Sequence, residues 1–392
     1  MPLLLLLLLP QLLVGGLGLE VSAVPSIDDM MLVQQLLVTT DARSGLPPAG
    51  TEHQEDVNAT FEAAGVGLVT PGFMTWEGTH VDESPVAPWP RRPMPECDIS
   101  PLTGACLPSF MLIGVQKSAT STMHKILSAH PQIRPARSKE LLFFNGDIEH
   151  IRCQPSEKDL AWYLGKFPRL ARGSGLLTGE FSATYLHCWC CAATLKRLMP
   201  KLRLMALLRD PIERARSRWR EQHAFFGSRE HGGRAPGGSF EDYIERELPG
   251  LEACMRDAVG LENQAHCAGR QNILGLSVYD TVLQVWFQHF EPQDLLIIYN
   301  EQLAVDPPAV MSAVHSHLGI QEHQYPDKLV QSHYNVEGRY GWGRLTLTNA
   351  RKMRVLERLY AFYRPHMQQL KRMADLGQIS QLPRSWVARW SL

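Results

Sequence analysis

The sequence predicts an α/β domain with a mostly parallel sheet, set behind an extended N-terminal stem. Three short apolar runs, Phe110–Val115, Leu202–Leu208 and Leu295–Tyr299, are each bounded by polar or proline-containing breaks. Helical patterns lie between and after them, over Arg214–Phe225, Phe240–Glu247, Tyr279–Phe290 and Ala309–Leu318. Strands alternating with helices of this length form βαβ units, and such units build parallel sheets.

Met1–Leu19 carries no charge and opens with seven leucines, Leu3–Leu9. Pro10, Gly15, Gly16 and Gly18 make it a poor long helix, and Val21-Ser22-Ala23 is a small-residue cleavage pattern. Residues 1–23 therefore read as a secretory signal peptide, or as an uncleaved type II anchor, which has the same appearance. A membrane is a partner only in the second case. Residues 24–96 are acidic, lack periodicity and end in Pro85, Pro88, Pro90, Pro93 and Pro95, the composition of a semi-rigid spacer. Residues 97–392 make the folded domain. Phe110–Val115 runs into a glycine-bearing turn and a helical stretch through His130. Ser239 and Asp242 form a capping box with Asp in place of the usual Glu. Gly227–Gly238 reads as a mobile loop. Leu356, Tyr360, Tyr363, Met367 and Leu370 recur at three or four residues, which predicts an amphipathic C-terminal helix.

Composition narrows the function classes. A chain of 392 residues, 44% hydrophobic and 20% charged, is neither disordered, collagenous nor a coiled-coil rod. The 39 Lys and Arg nearly balance the 40 Asp and Glu, which gives no overall case for nucleic acid. The balance is uneven. Residues 1–90 hold one basic residue, Arg43, and eleven acidic ones, leaving 38 basic against 29 acidic in residues 91–392. A basic body suits anionic ligands such as phosphates, nucleotides or acidic glycans. Behind a secretory leader, the eight cysteines are disulfide candidates. Cys97/Cys106 and Cys254/Cys267 are close enough to close small loops, but spacing does not fix the pairing. Cys188-Trp189-Cys190-Cys191 lacks a second pair at zinc-finger spacing, so no metal is expected. Asn58-Ala59-Thr60 is a glycosylation sequon.

Two segments carry phosphate chemistry. Ile113-Gly114-Val115-Gln116-Lys117-Ser118-Ala119-Thr120-Ser121-Thr122 runs from a strand into a helix. Amides at a helix N-terminus bind phosphate, and hydroxyls and a lysine add charge-assisted bonds. It is not a Walker A loop, because Lys117 precedes the small residue, and this argues against a nucleotide kinase. Arg209-Asp210-Pro211-Ile212-Glu213-Arg214-Ala215-Arg216-Ser217 again follows a strand and enters a helix. Arg209 and Ser217, two turns apart, can converge on one phosphate.

These segments resemble the two phosphate motifs of sulfotransferases that use 3′-phosphoadenosine 5′-phosphosulfate (PAPS). The first is similar to the family's K-x-G-T turn, whose lysine approaches the sulfuryl group. The chain keeps Lys117, Thr120 and Ser121 but has Ala119 where glycine is usual; alanine tolerates helical angles but adds a methyl where phosphate approaches. The second matches the family's R-D/N-P-x-x-R-x-x-S at every specified position. Ser138-Lys139-Glu140-Leu141-Leu142-Phe143-Phe144 resembles a stretch of glycan sulfotransferases, notably of the heparan sulfate group, whose glutamate is the catalytic base. His124 and His130 read as packing or capping residues. Thr178–Tyr185 is similar to an E-K-S-x-x-Y segment, with Phe181 replacing its lysine. The N-acetylgalactosamine 4-sulfate 6-O-sulfotransferase group has a related segment without that lysine. The spacing of Glu252, Cys254, Cys267, Ser277-Val278-Tyr279 and Trp286 is also similar to that group. Glu337-Gly338-Arg339 falls where the family places a K-G-R nucleotide loop, and nearby Trp342 reads as a core aromatic.

The resemblance implies a single P-loop-like domain, central parallel sheet flanked by helices, with loops at the strand C-termini binding PAPS as co-substrate. It implies sulfuryl transfer to a hydroxyl of an acidic or sulfated glycan in the Golgi lumen or membrane, or outside the cell. Glu140 would be the base and Lys117 the electrostatic catalyst. Lys117, Ser118, Thr120, Ser121, Thr122, Arg209, Ser217 and Arg339 would hold the nucleotide, and no metal is required. The rival is a secreted glycan-binding protein on a degenerate scaffold, to which Ala119 and Phe181 point.

Overall fold

A computed structural model describes residues 86–146, 151–226, 237–330 and 350–392. The leader, most of the stem, the sequon, most of the Gly227–Gly238 loop, Arg339 and Trp342 lie outside the described residues. The described chain forms a four-stranded parallel sheet from β1 (Phe110–Gly114), β2 (Gly179–Phe181), β3 (Arg203–Leu208) and β4 (Leu295–Tyr299), in the order β2-β1-β3-β4. β1, β3 and β4 are the three apolar runs read from sequence. Every residue in them is buried, the signature of strands covered on both faces.

Alternate residues of each strand feed opposite apolar layers. Met111, Ile113, Leu204, Ala206, Leu208, Leu295 and Ile297 face one cluster, which includes Leu283, Trp286 and Tyr363. Phe110, Leu112, Met205, Leu207, Leu296 and Ile298 face the other, with Met123, Ile126, Val310 and Val314. Burial of each such side chain contributes roughly 1.5–3 kcal/mol. Helices α1 (Thr120–Ser128) and α9 (Pro307–Leu318) supply the second layer. α7 (Tyr279–Phe287) and α11 (Ala350–Asp375) supply much of the first. The remaining helices in chain order are α2 (Glu157–Leu164), α3 (Cys191–Leu198), α4 (Pro211–Phe226), α5 (Phe240–Asp257), α6 (Leu261–Arg270), α8 (Asn300–Val305), α10 (Asp327–Val330) and α12 (Arg384–Trp390).

Caps explain where several helices begin. The Ser239–Asp242 capping box opens α5 as the sequence predicts. That helix continues through Pro249 to Asp257, ten residues past the predicted end, because Leu251 is buried and Cys254 is tied to Cys267 on α6. α9 begins two residues before the predicted Ala309, since Asp306 caps the Ala309 amide and Pro307 takes the first position.

Four disulfides join the eight cysteines: Cys97–Cys106, Cys153–Cys190, Cys188–Cys191 and Cys254–Cys267. The Cys188–Cys191 cluster is thus committed to sulfur–sulfur bonds. The end of the segment read as a stem is fixed to the domain: the Arg92 amide donates to the Ser316 carbonyl at 3.0 Å, and Arg203 donates to the Pro93 carbonyl at 2.5 Å. Among the described residues, no helix is long and apolar enough to cross a membrane.

Candidate active site

The C-terminal ends of β1, β2 and β3 bring Lys117, Glu140 and Arg209 to one end of the sheet. β1 ends at Gly114, where a Cβ would lie 2.9 Å from Leu186 Cβ and 3.3 Å from the Ala183 carbonyl oxygen. Only glycine permits that approach. The chain then turns through Lys117 and Ala119, both left-handed at φ 73° and 67°. Ala119 is the helix N-cap and has no side-chain cap, so its backbone is in the conformation glycine favours, not the helical angles expected from sequence. The amides of Thr120, Ser121 and Thr122 precede the first intrahelical bond, from Met123 to Ala119, and are free in the sense of any uncapped helix start. Ser118 is fully buried, and its hydroxyl has no hydrogen-bond partner among the described residues. Thr120 and Thr122 are buried and Ser121 is half-buried.

The second motif meets this turn. Arg209, at the end of β3, donates from Nη1 to the Lys117 carbonyl at 3.3 Å. Asp210 Oδ1 caps α4 through the amides of Ile212 and Glu213, each at 3.1 Å, and Pro211 takes the first helical position. This is why α4 starts three residues before the predicted Arg214. The Tyr279 hydroxyl donates to the Arg209 carbonyl at 2.7 Å. Ser277 donates to the Pro211 carbonyl and accepts from Arg214 Nε at 2.5 Å. Arg214 is fully buried, so the second arginine of the motif holds the helix in place and does not line the pocket.

Ser217 lies two turns into α4, and Glu221 follows four residues later on the same face. Glu221 accepts from Lys117 Nζ at 2.8 Å and from Arg218 Nη1 at 2.5 Å. Lys117 is thus gripped at both ends, its carbonyl by Arg209 and its ammonium by Glu221. Burial lowers the Lys117 pKa, and Glu221 pulls it back only in part. Burial alone would raise the Glu221 pKa, but Lys117 and Arg218 outweigh it and hold the carboxylate below its ordinary range. Glu221 is a site residue missed from sequence, although its spacing from Ser217 placed it on the right face.

Glu140 stands at the end of β2. Its amide donates to the Phe181 carbonyl at 2.8 Å, and Oε2 accepts from the Ala183 amide at 2.9 Å. Lys139 pairs with Oε1. The residue is left-handed at φ 60°, a conformation held by these bonds. His124, one turn into α1, has its pKa lowered to about 4 by burial and then by Lys139, with Glu140 pulling the other way. It is neutral at physiological pH. Its ring meets Phe181 edge-on at 4.7 Å, in keeping with a packing role.

Beneath Glu140 lies a hydrogen-bonded hub. Glu180 is fully buried and accepts from Tyr163, from Ser182 at 2.6 Å and from Tyr185 at 2.7 Å. Burial raises its pKa to about 6 despite those donors. Ser182 and Tyr185 in turn accept from the amides of Leu142 and Phe143, at 3.1 and 2.7 Å. The E-x-S-x-x-Y residues therefore hold the stretch that carries Glu140. Phe181, in place of the family's lysine, is buried against Phe110 and His124.

Residues 107–336 match the family model described as sulfotransferase domain. The chain belongs to the sulfotransferase domain family. Among curated relatives, the bifunctional heparan sulfate N-deacetylase/N-sulfotransferase 2 of Bos taurus is 29% identical over 220 residues, 55% of this chain and 22% of the relative. The Mus musculus protein of the same description is 30% identical over 222 residues, with the same coverage of 55% and 22%. This family member thus spans about a fifth of the length of the curated relatives it matches. The solved sulfotransferase of Alicyclobacillus acidocaldarius aligns with a TM-score of 0.48 at 20% identity, over 72% of this chain and 99% of its own.

Proposed function

We propose that the chain transfers a sulfuryl group from PAPS to a hydroxyl of an acidic, glycosaminoglycan-like carbohydrate. The observation that carries this reading is the meeting of Lys117, the uncapped start of α1 and Arg209 at the ends of β1 and β3, with Glu140 held at the end of neighbouring β2. These strand ends are rich in donors, which fits a ligand with phosphates at both ends. The buried Ser118 hydroxyl adds an unused polar group to the same turn.

Bound PAPS would supply an activated sulfur with a phosphate leaving group. Glu140 would take the acceptor's proton as its oxygen bonds to sulfur and the bond from sulfur to the bridging phosphate oxygen breaks. Lys117 would neutralise the charge growing on that oxygen, an interaction strongest in the transition state. The α1 amides with Thr120, Ser121 and Thr122 would hold the 5′-phosphate, Arg209 and Ser217 the 3′-phosphate, and Arg339 a further part of the nucleotide. The four disulfides support a lumenal or extracellular setting, behind a leader over residues 1–23 and a stem over 24–96.

Arg209→Ala is expected to weaken binding of 3′-phosphoadenosine 5′-phosphate by about 10–100-fold, the scale of a charged hydrogen-bonding pair. Adenosine 5′-phosphate, which lacks the 3′-group, should bind the variant and the parent alike in titration calorimetry. Equal loss for both nucleotides would contradict the assignment. Glu221→Gln removes the countercharge from Lys117 while burial remains, so Lys117 would lose its proton at lower pH. The basic limb of kcat/KM for PAPS is expected to move to lower pH in this variant; an unmoved limb would sever Glu221 from the lysine's charge.

A further inference from the structure

We propose that Trp162, with Lys166, Arg152 and Arg137, forms a docking platform for an acidic sugar of the acceptor chain, next to the unit that reacts. The inference rests on the transferase reading and names where its polyanionic substrate lies. α2 opens with a Ser156–Asp159 capping box, and its last turn is fixed by Tyr163, whose hydroxyl donates to the buried Glu180. Turning Tyr163 inward leaves its neighbour Trp162 outward. Trp162 is 54% exposed, the one aromatic among the exposed large hydrophobic residues described.

Lys166, Arg152 and Arg137 stand near it, with Asp159 one turn earlier on α2 as the facing acid, and they join it to the stretch that carries the base. Lys166 Nζ lies over the indole at 4.1 Å from its centre. The Phe143 ring stacks near Trp162, with centres 6.1 Å apart, and Phe143 is three residues from Glu140. Exposed Arg152 donates to the Phe143 carbonyl at 2.8 Å. The Arg137 amide donates to the Lys166 carbonyl at 2.9 Å, and its side chain is exposed.

An indole offers a flat apolar face to the C–H side of a sugar ring, and the three cations suit a carboxylate or sulfate on it. Lys166 has a flexible stem and can exchange its contact with the indole for an ion pair with that group, uncovering the ring. A neutral glycan would use the indole alone and gain nothing from the cations' charge.

The test compares full-length parent, Trp162→Ala, Trp162→Phe and Lys166→Ala. Each is titrated calorimetrically with unsulfated chondroitin and N-desulfated heparin octasaccharides, and with neutral maltooctaose. Trp162→Ala and Lys166→Ala are each expected to weaken binding of an acidic octasaccharide about tenfold, a loss of ~1.4 kcal/mol. Trp162→Phe should retain most of the affinity, and maltooctaose should bind all four proteins poorly. In turnover, the loss should fall on the acceptor KM, with kcat and the KM for PAPS unchanged. Unaltered acidic-glycan affinity in Trp162→Ala would overturn the platform, as would a matching loss of kcat with a lowered unfolding midpoint. If the parent binds these glycans but transfers no sulfate, the transferase reading fails while the binding comparison still decides the platform.

Discussion

Lys117→Ala is expected to lower kcat by about 10²–10³-fold, the cost of removing one preorganised charge from a developing oxyanion. The side chain is only 7% exposed, and its ammonium sits in the turn between β1 and α1. Removing it does not strand a buried carboxylate, because Glu221 keeps its bond to Arg218. The unfolding midpoint should therefore change little, and the defect should fall on turnover. Steady-state kinetics with saturating donor and acceptor check this. Loss confined to the KM for PAPS would mean that Lys117 holds the ground state and contributes nothing extra in the transition state.

Glu140→Gln should cost about 10²–10⁴-fold in kcat, the usual contribution of a positioned general base. Glutamine keeps the shape and an oxygen that can accept from the Ala183 amide, so the backbone at residues 140–144 should stay held by Ser182 and Tyr185. The proton acceptor is lost, together with the charge of the Lys139 pair at Oε1. Binding of 3′-phosphoadenosine 5′-phosphate should be unchanged, which separates this variant from Arg209→Ala. Full activity in Glu140→Gln would remove the carboxylate from the mechanism.

Much of this arrangement was legible in the sequence because the relevant signals are local. β1, β3 and β4 announce themselves as unbroken apolar runs, since both faces of each are buried. The two phosphate motifs follow two of these runs directly, and the structure joins them through Arg209 and the Lys117 carbonyl. β2 escaped notice because it is three residues long and centres on a buried glutamate, whose burial depends on partners at Tyr163 and Tyr185. The Phe240–Glu247 reading stops ten residues short of the end of α5, which carries Pro249 in its interior because tertiary burial of Leu251 overrides that breaker. The pairing of Cys153 with Cys190 spans 37 residues, and no spacing rule selects it over its neighbours. Glu221 was hidden for a different reason. Its helical face can be read from Ser217, but its partner Lys117 is 104 residues away.

The most direct measurement of the central claim is transfer of radiolabelled sulfate from PAPS by the full-length chain. The acceptor panel would hold chondroitin, dermatan, N-desulfated heparan and neutral glycans, with Lys117→Ala and Glu140→Gln as controls. The expected result is label in one or more acidic glycans, lost in both variants, with the labelled product bearing an O-sulfate. Label on nitrogen alone would keep the transferase and correct the acceptor group. A folded chain that binds acidic glycan, fails to bind PAPS and incorporates no label would contradict the account and leave a glycan-binding protein on this scaffold.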